Sequence, residues 1–369
     1  MTRLRLIVLL CRPAVLVLLA MFTATGLAQA GQGRSEALLA RALIVVFGFL
    51  LFSVACNDIA DEAIDRVNLP GQRPLTVGAL GRTEFAVIGV VSGVVALAAS
   101  ATLRWPAVVV TAAGLAISAG YSLRPVRLAD RGAVAAMVLP ACYVGVPFLI
   151  GIFAARGFVR PDDLLLLGGL YLGFIGRILL KDFRDVRGDA LFGKRTFLVR
   201  HGRGWTCAFS GGCWTAGMVM LLAAVHRPTP ALAIGFAGCL AGALWLLRKL
   251  AAAPGGRRDE CLISAIAIIG RGVILLLLAH LSMIQADWAG PRYVLVIATL
   301  AVLTAGLAAT MARHGPITRS TVPDLLGVDG GRRGGRAASG SGHDEDGQAE
   351  QHGAGADAQG RRVAPEVRC

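Results

Sequence analysis

Two short acidic segments hold the residues whose chemistry is easiest to name. The first reads Asn57-Asp58-Ile59-Ala60-Asp61-Glu62-Ala63-Ile64-Asp65, the second Lys181-Asp182-Phe183-Arg184-Asp185-Val186-Arg187-Gly188-Asp189. Both contain D-x-x-D-x-x-x-D, both close an apolar stretch, and both lead into a basic, glycine-containing loop. Spacings of three and four put side chains on one helical face. Asp58, Asp61 and Asp65 are therefore expected to share a face if the helix continues that far, and Asp182, Asp185 and Asp189 another. Three like charges on a face repel, and each is costly near lipid, so compensating cations are expected. Hard divalent ions take oxygen ligands, and Mg²⁺ commonly combines one or two carboxylates with substrate phosphates. Lys181 and the loop arginines would then hold phosphate oxygens. Two such segments facing each other would clamp a diphosphate between metal ions. Solvated charges at helix ends are the bland alternative, and a pattern repeated at equivalent junctions weighs against it.

The elements that must position these segments are apolar. The chain has 369 residues, 55% hydrophobic and 16% charged, with a mean hydropathy of +0.65. Soluble domains carry about 25% charged residues, so a soluble globular protein is excluded. Crossing a bilayer takes roughly 20 mostly apolar residues as helix. Stretches of that kind fall near 14–30, 38–56, 84–103, 106–121, 133–154, 163–181, 205–226, 230–250, 262–284 and 292–312. The first could be a cleaved leader ending at Ala28-Gln29-Ala30. Arg12-Pro13 interrupts its apolar run and more helices follow, which favours a retained helix. The expected fold is an all-α, polytopic membrane bundle of nine to ten helices over residues 1–314. From residue 315 to 369 Gly, Arg, Asp, Ser and Gln dominate, and a disordered polar tail is expected.

The charge pattern orients the bundle. Net charge is +14, and the basic residues sort to one side of the apolar stretches: Arg12, Arg66, Arg73, Arg82, Arg124, Arg127, Lys181, Arg203 and Lys249 among them. The positive-inside rule puts that side, with both acidic segments, in the cytoplasm; a bacterial plasma membrane is the expected location. The basic residues form no continuous patch, so no nucleic-acid partner is expected. The eight cysteines contain no CxxC pair and read as small apolar residues in buried helices. His280 is expected to be a satisfied helix residue rather than a ligand. Arg177, one turn before Lys181, either reaches the site or snorkels. Arg271 is expected to face the interior.

At the acidic segments the sequence resembles the UbiA superfamily of intramembrane prenyltransferases. Asn57 to Asp65 resemble its first Asp-rich motif, with Arg73-Pro74 following, and Lys181 to Asp189 resemble its second. Tyr121-Ser122-Leu123-Arg124-Pro125-Val126-Arg127-Leu128 resembles its Y-S-x-x-P-x-R-L loop. Gln72, between Gly71 and Arg73, lengthens a spacer that is shorter in many members, and the 292–312 stretch is a candidate extra helix. The resemblance implies about nine helices around a central cavity and Mg²⁺-dependent transfer of an isoprenoid chain from a polyprenyl diphosphate to an aromatic or quinone-precursor acceptor, with membrane lipid around it. Carried over, Asp58, Asp61, Asp65, Asp182, Asp185 and Asp189 would hold metal, and Lys181 would assist catalysis. Asn57, Arg66, Asn68, Arg73, Tyr121 and Arg127 would bind diphosphate or shape the pocket. A UbiA-type terpene cyclase would share both segments. A CDP-alcohol phosphatidyltransferase would need a D-G-x-x-A-R signature that the sequence lacks. A cation-coupled transporter would place its acids nearer the bilayer midplane.

Overall fold

The computed structural model describes residues 10–68, 73–183, 196–225, 228–252, 256–285 and 290–315. Asp185 and Asp189 lie outside these residues, as does the tail beyond Gly315. All regular structure among the described residues is helical. The long helices are α1 (Pro13–Gln29), α2 (Glu36–Ala60), α4 (Arg82–Ala101), α5 (Trp105–Ser122), α8 (Pro161–Ile178), α9 (Phe197–Ala224), α10 (Pro230–Ala252), α11 (Arg257–Gln285) and α12 (Pro291–His314). A short α3 (Glu62–Asn68) follows α2. One further span is composite: α6 (Ala133–Pro140), a π turn (Ala141–Gly145) and α7 (Val146–Ala155).

Among the described residues nine helical segments are long and apolar enough to cross a membrane, and α1 is a tenth, shorter apolar helix. Each coincides with one of the ten expected stretches. The helices are apolar on more than the packed face. Val87, Val90, Val91 and Val94 of α4 are exposed, as are Leu295, Val302 and Leu303 of α12. Water would penalise such faces, whereas hydrocarbon does not. The protein is an integral, multi-pass membrane protein.

Small residues bring the helices together. A Cβ on Gly26 of α1 would stand 2.1 Å from the Phe148 carbonyl oxygen, and one on Gly151 of α7 2.2 Å from that of Thr23. Only glycine permits that crossing. Gly169 of α8 and Gly217 of α9 approach each other's backbone in the same way. Pro140 and Pro147 flank the π turn, where missing N–H donors break the regular ladder. Cys56, Cys142, Cys207, Cys213 and Cys239 are buried free thiols within helices. His280 of α11 is buried, and its Nδ1 lies 2.8 Å from the Tyr293 hydroxyl of α12, which also pairs with Thr229 at 2.6 Å. Its partner is on the next helix rather than its own.

Candidate active site

Ser35 caps the start of α2, its side chain accepting from the Leu38 N–H, and the last turn of the helix carries Asn57 and Asp58. Asp61 is the C-cap, and its N–H donates to the Asn57 carbonyl at 2.9 Å. The Asp65 N–H donates to the Asp61 carbonyl at 2.8 Å, so α3 continues the helical pitch past a bend. On the other side of the bundle α8 tightens into a 3₁₀ turn, Leu179–Lys181, with Asp182 as its C-cap. Both acidic segments thus stand at the C-terminal ends of long helices.

The two ends meet across one cleft with a free volume of about 110 Å³. Asn57 and Asp61 line it from the end of α2 and its C-cap, Lys181 and Asp182 from the 3₁₀ turn after α8 and its C-cap, and Tyr121 from the end of α5. Thr196 and Asp130 complete the polar rim, and Phe197, at the start of α9, adds an apolar wall. Asn57 and Tyr121 also line a second cavity deeper in the bundle, with Leu19, Phe49, Leu50, Leu139 and Tyr143. Arg12, Ser53 and Ser118 also line this second cavity, and Asn57, Tyr121 and Leu139 are common to the walls of both.

The three aspartates of the first segment have different arginine partners, with Arg73 shared between Asp58 and Asp65. Asp58 is 3% exposed and is ion-paired with Arg12, with Arg73 at 3.8 Å. Asp65 faces Arg73 at 3.2 Å. Asp61 accepts from Arg127 Nη2 at 3.0 Å, while Arg127 Nη1 donates to the Ala60 carbonyl at 3.1 Å and its Nε to Asp130 at 2.6 Å. Arg12, Arg73 and Arg127 compensate the like charges that helical spacing brings together. Of the three, only Asp61 lines the cleft. Arg66 is exposed and pairs with Glu62 at 2.7 Å, away from the cleft. The side chain of Asn68 lies outside the described residues. Burial pushes the Asp65 carboxyl above its ordinary pKa, and the Arg73 guanidinium opposes the shift.

Arg12 is the functional-site residue that spacing alone did not assign a role. It precedes Pro13 at the start of α1 and reaches Asp58 from there. Arg12 and Arg127 have φ of 42° and 36°, and they are the non-glycine residues with positive φ among those described. Left-handed backbone costs about 1–2 kcal/mol for such residues and concentrates at functional sites. Here both strained arginines grip a carboxylate of the first acidic segment.

No three His, Cys, Asp or Glu side chains converge as a ready metal site among the described residues. The cleft's own donors, the Asn57 amide and the Asp61 and Asp182 carboxylates, are all hard oxygen ligands, with Lys181 beside them. That set fits Mg²⁺ shared with phosphate oxygens better than it fits a softer metal.

A family profile described as the UbiA prenyltransferase family matches residues 18–270, most of the helical part. The chain belongs to the UbiA prenyltransferase family. Digeranylgeranylglyceryl phosphate synthase of Methanoculleus marisnigri is 34% identical over 42% of this chain and 54% of its own. 4-Hydroxybenzoate octaprenyltransferase of Acidovorax ebreus is 30% identical over 46% and 58%. The bacteriochlorophyll synthase 34 kDa chain of Chloroflexus aurantiacus is 27% identical over 41% and 48%. The chain thus spans about half the length of the curated relatives it matches. A UbiA homologue from Archaeoglobus fulgidus, solved with DMAPP and Mg²⁺, superposes with TM-score 0.53 at 13% identity, covering 83% of this chain and 98% of that one. A structure from work on digeranylgeranylglyceryl phosphate synthase in membranes gives TM-score 0.61 at 18% identity over 76% and 99%. These structures share the UbiA fold with this chain.

Proposed function

We propose that this UbiA-family protein is a Mg²⁺-dependent intramembrane prenyltransferase. It would move an isoprenoid chain from an allylic polyprenyl diphosphate to an aromatic or quinone-precursor acceptor and release diphosphate. The observation that carries the reading is the cleft at which Asn57, Asp61, Lys181 and Asp182 meet, beside a cavity walled in part by Leu19, Phe49 and Leu50. The polar mouth suits a diphosphate and the interior a hydrocarbon chain. Arg66 and Arg73 contribute to the electrostatics of this end through Glu62, Asp58 and Asp65. Asp185 and Asp189 are proposed to complete the second segment's ligand set.

In this reading Asn57, Asp61 and Asp182 hold Mg²⁺, which when bound supplies Lewis-acid neutralisation of the leaving diphosphate. Lys181 and Arg127 bind diphosphate oxygens and stabilise the charge that grows on them as the carbon–oxygen bond breaks. Asp58 would act through Arg12 and Arg73, setting the end of α2. The apolar walls around Tyr121 exclude water from the allylic cation. An electron-rich acceptor carbon then attacks, and loss of a proton restores its aromaticity.

The cleft stands at the ends of α2 and α8 rather than midway along them, which favours an enzyme over a coupled transporter. Arg73, Arg82, Arg127, Lys181 and Arg203 near this end support a cytoplasmic orientation for it by the positive-inside rule, and a bacterial plasma membrane is the location we propose. The test is Mg²⁺-dependent diphosphate release by detergent-purified protein. Farnesyl, geranylgeranyl and longer polyprenyl diphosphates would be supplied with and without phenolic acceptors. Release only with an acceptor is the expected result. Release without one would assign a terpene cyclase instead, and no release with any donor would overturn the enzyme reading.

A further inference from the structure

The last helix, α12, packs on α11 and α10 at the edge of the bundle. Between α10 and α12 runs a groove with a free volume of about 630 Å³, floored by Ile269 of α11. Gly238, Gly242 and Trp245 line it from α10, and Ala298, Ala305 and Ala312 from α12. Small side chains on both helices leave this space open. Ile234 and Val302, which also line it, are exposed, so in a membrane the groove opens to hydrocarbon.

Two cations flank the groove at the end of the bundle that carries the cleft. The Lys249 ammonium stands 3.7 Å from the ring centroid of Trp245, a wall residue that is 55% exposed. Exposed tryptophan and lysine at a helix end mark the headgroup level. Arg313 follows the wall residue Ala312 in the last turn of α12. A Cβ on Gly315 would stand 3.0 Å from Cys261 Sγ, so α12 ends beside the first turns of α11, on the same side as Lys249. Neither Lys249 nor Arg313 is ion-paired among the described residues. The acids of that end are turned elsewhere. Asp259 is held by Arg203, and Glu260 stands about two and a half turns before Ile269, on the opposite side of α11. Gly238 and Lys249 are about 16 Å apart along α10, close to the depth of one leaflet in a hydrocarbon core about 30 Å thick.

A plain hydrocarbon chain suits the walls and leaves both cations unanswered. A second copy of this chain, inserted in the same orientation, would bring its own Lys249 and Arg313 to the same end of a two-fold contact, where like charges repel. An anionic phospholipid satisfies walls and rim together. We infer that this groove binds an anionic phospholipid of the leaflet on the cleft side, with an acyl chain against Gly238 and Gly242 and the headgroup phosphate held by Lys249 and Arg313. The inference rests on the membrane fold and is independent of the prenyltransferase reading. Gly238 meets nothing within 4 Å of an added Cβ, so a larger residue there fills the groove without pressing on a neighbouring helix.

The test is native mass spectrometry of the full chain in detergent, offered equal amounts of phosphatidylglycerol and phosphatidylcholine with identical acyl chains. Each Lys or Arg beside an anionic headgroup is worth about fivefold in affinity, so wild type is expected to retain phosphatidylglycerol about 25-fold over phosphatidylcholine. Lys249→Ala and Arg313→Ala are each expected to cut that preference about fivefold. Gly238→Leu is expected to abolish retention of the bound lipid. All three variants should match wild type in melting temperature when lipid-free, which separates lost binding from lost folding. Equal retention of the two lipids by wild type overturns the inference. So does a preference that survives Gly238→Leu, since general attraction of lipid to a basic surface does not need the groove. A dimer that Gly238→Leu dissociates, with no phosphatidylglycerol retained, assigns the face to a second copy and also overturns it.

Discussion

Asp61 and Asp182 are helix C-caps on different helices, and each points into the same cleft. Replacing either with Asn should lower turnover about 10²- to 10³-fold, the scale of losing one preorganised electrostatic group. The variant should remain folded in the membrane, which thermal melting alongside the diphosphate-release assay would check. Asp58 behaves differently because it is buried against Arg12 and Arg73. Asp58→Ala leaves a partly buried guanidinium without its counter-ion, at a cost of about 3 kcal/mol. It should lower the melting temperature as well as the activity, and an unchanged melting temperature would contradict this role. Asp65 contributes a pH dependence. Its folded pKa is raised by burial, so the folded state binds its proton more tightly than the unfolded chain. The resulting stabilisation is full below the ordinary carboxylate pKa of about 3.9 and is lost as pH rises through the higher folded value. The melting temperature of wild type relative to Asp65→Asn should therefore increase as pH is lowered over that window. A flat difference would show that burial does not govern this carboxyl.

At the scale of helices, the site depends on how closely α1 and α7 cross. Arg12 reaches Asp58 from the start of α1, and Leu19 of the same helix lines the interior cavity. Gly26 and Gly151 allow the crossing, and an added methyl would meet a backbone carbonyl at 2.1 and 2.2 Å. Gly151→Ala should destabilise the protein by about 1–3 kcal/mol through overpacking, read as a lower melting temperature in detergent. Gly212 of α9 meets nothing within 4 Å. Gly212→Ala should be neutral or stabilise by up to about 1 kcal/mol. Equal effects from the two substitutions would mean that the crossing is not set by backbone approach.

At the scale of the bundle, the ten apolar helices among the described residues return the end of α12 to the side from which α1 starts. The basic ends at Arg12, Arg82, Arg203, Lys249 and Arg313 then share one side, as the positive-inside rule requires. A green fluorescent protein fused after His314 should fluoresce in a bacterial host, and an alkaline phosphatase fusion at the same point should be inactive. The reverse result would remove one helix from the membrane or invert the topology.

The ten apolar helices were legible in the chain because hydrocarbon thickness and internal backbone hydrogen bonding leave little choice. Both acidic segments were legible because a charge at a membrane edge stands out against apolar neighbours. Which carboxylate does what was not. Helical spacing put Asp58, Asp61 and Asp65 on one face. Which arginine answers each of them, Arg12 and Arg73 at Asp58, Arg73 at Asp65 and Arg127 at Asp61, was decided only by packing. The left-handed backbone at Arg12 and Arg127 leaves no compositional sign either, since neither is a glycine. Arg177 read in the sequence as either reaching the site or snorkelling, and only the convergence of four helices puts it beside Trp214. Periodicity and transfer energies are local and survive in a sequence. Pairing among side chains is a property of distances that exist only once the helices have packed.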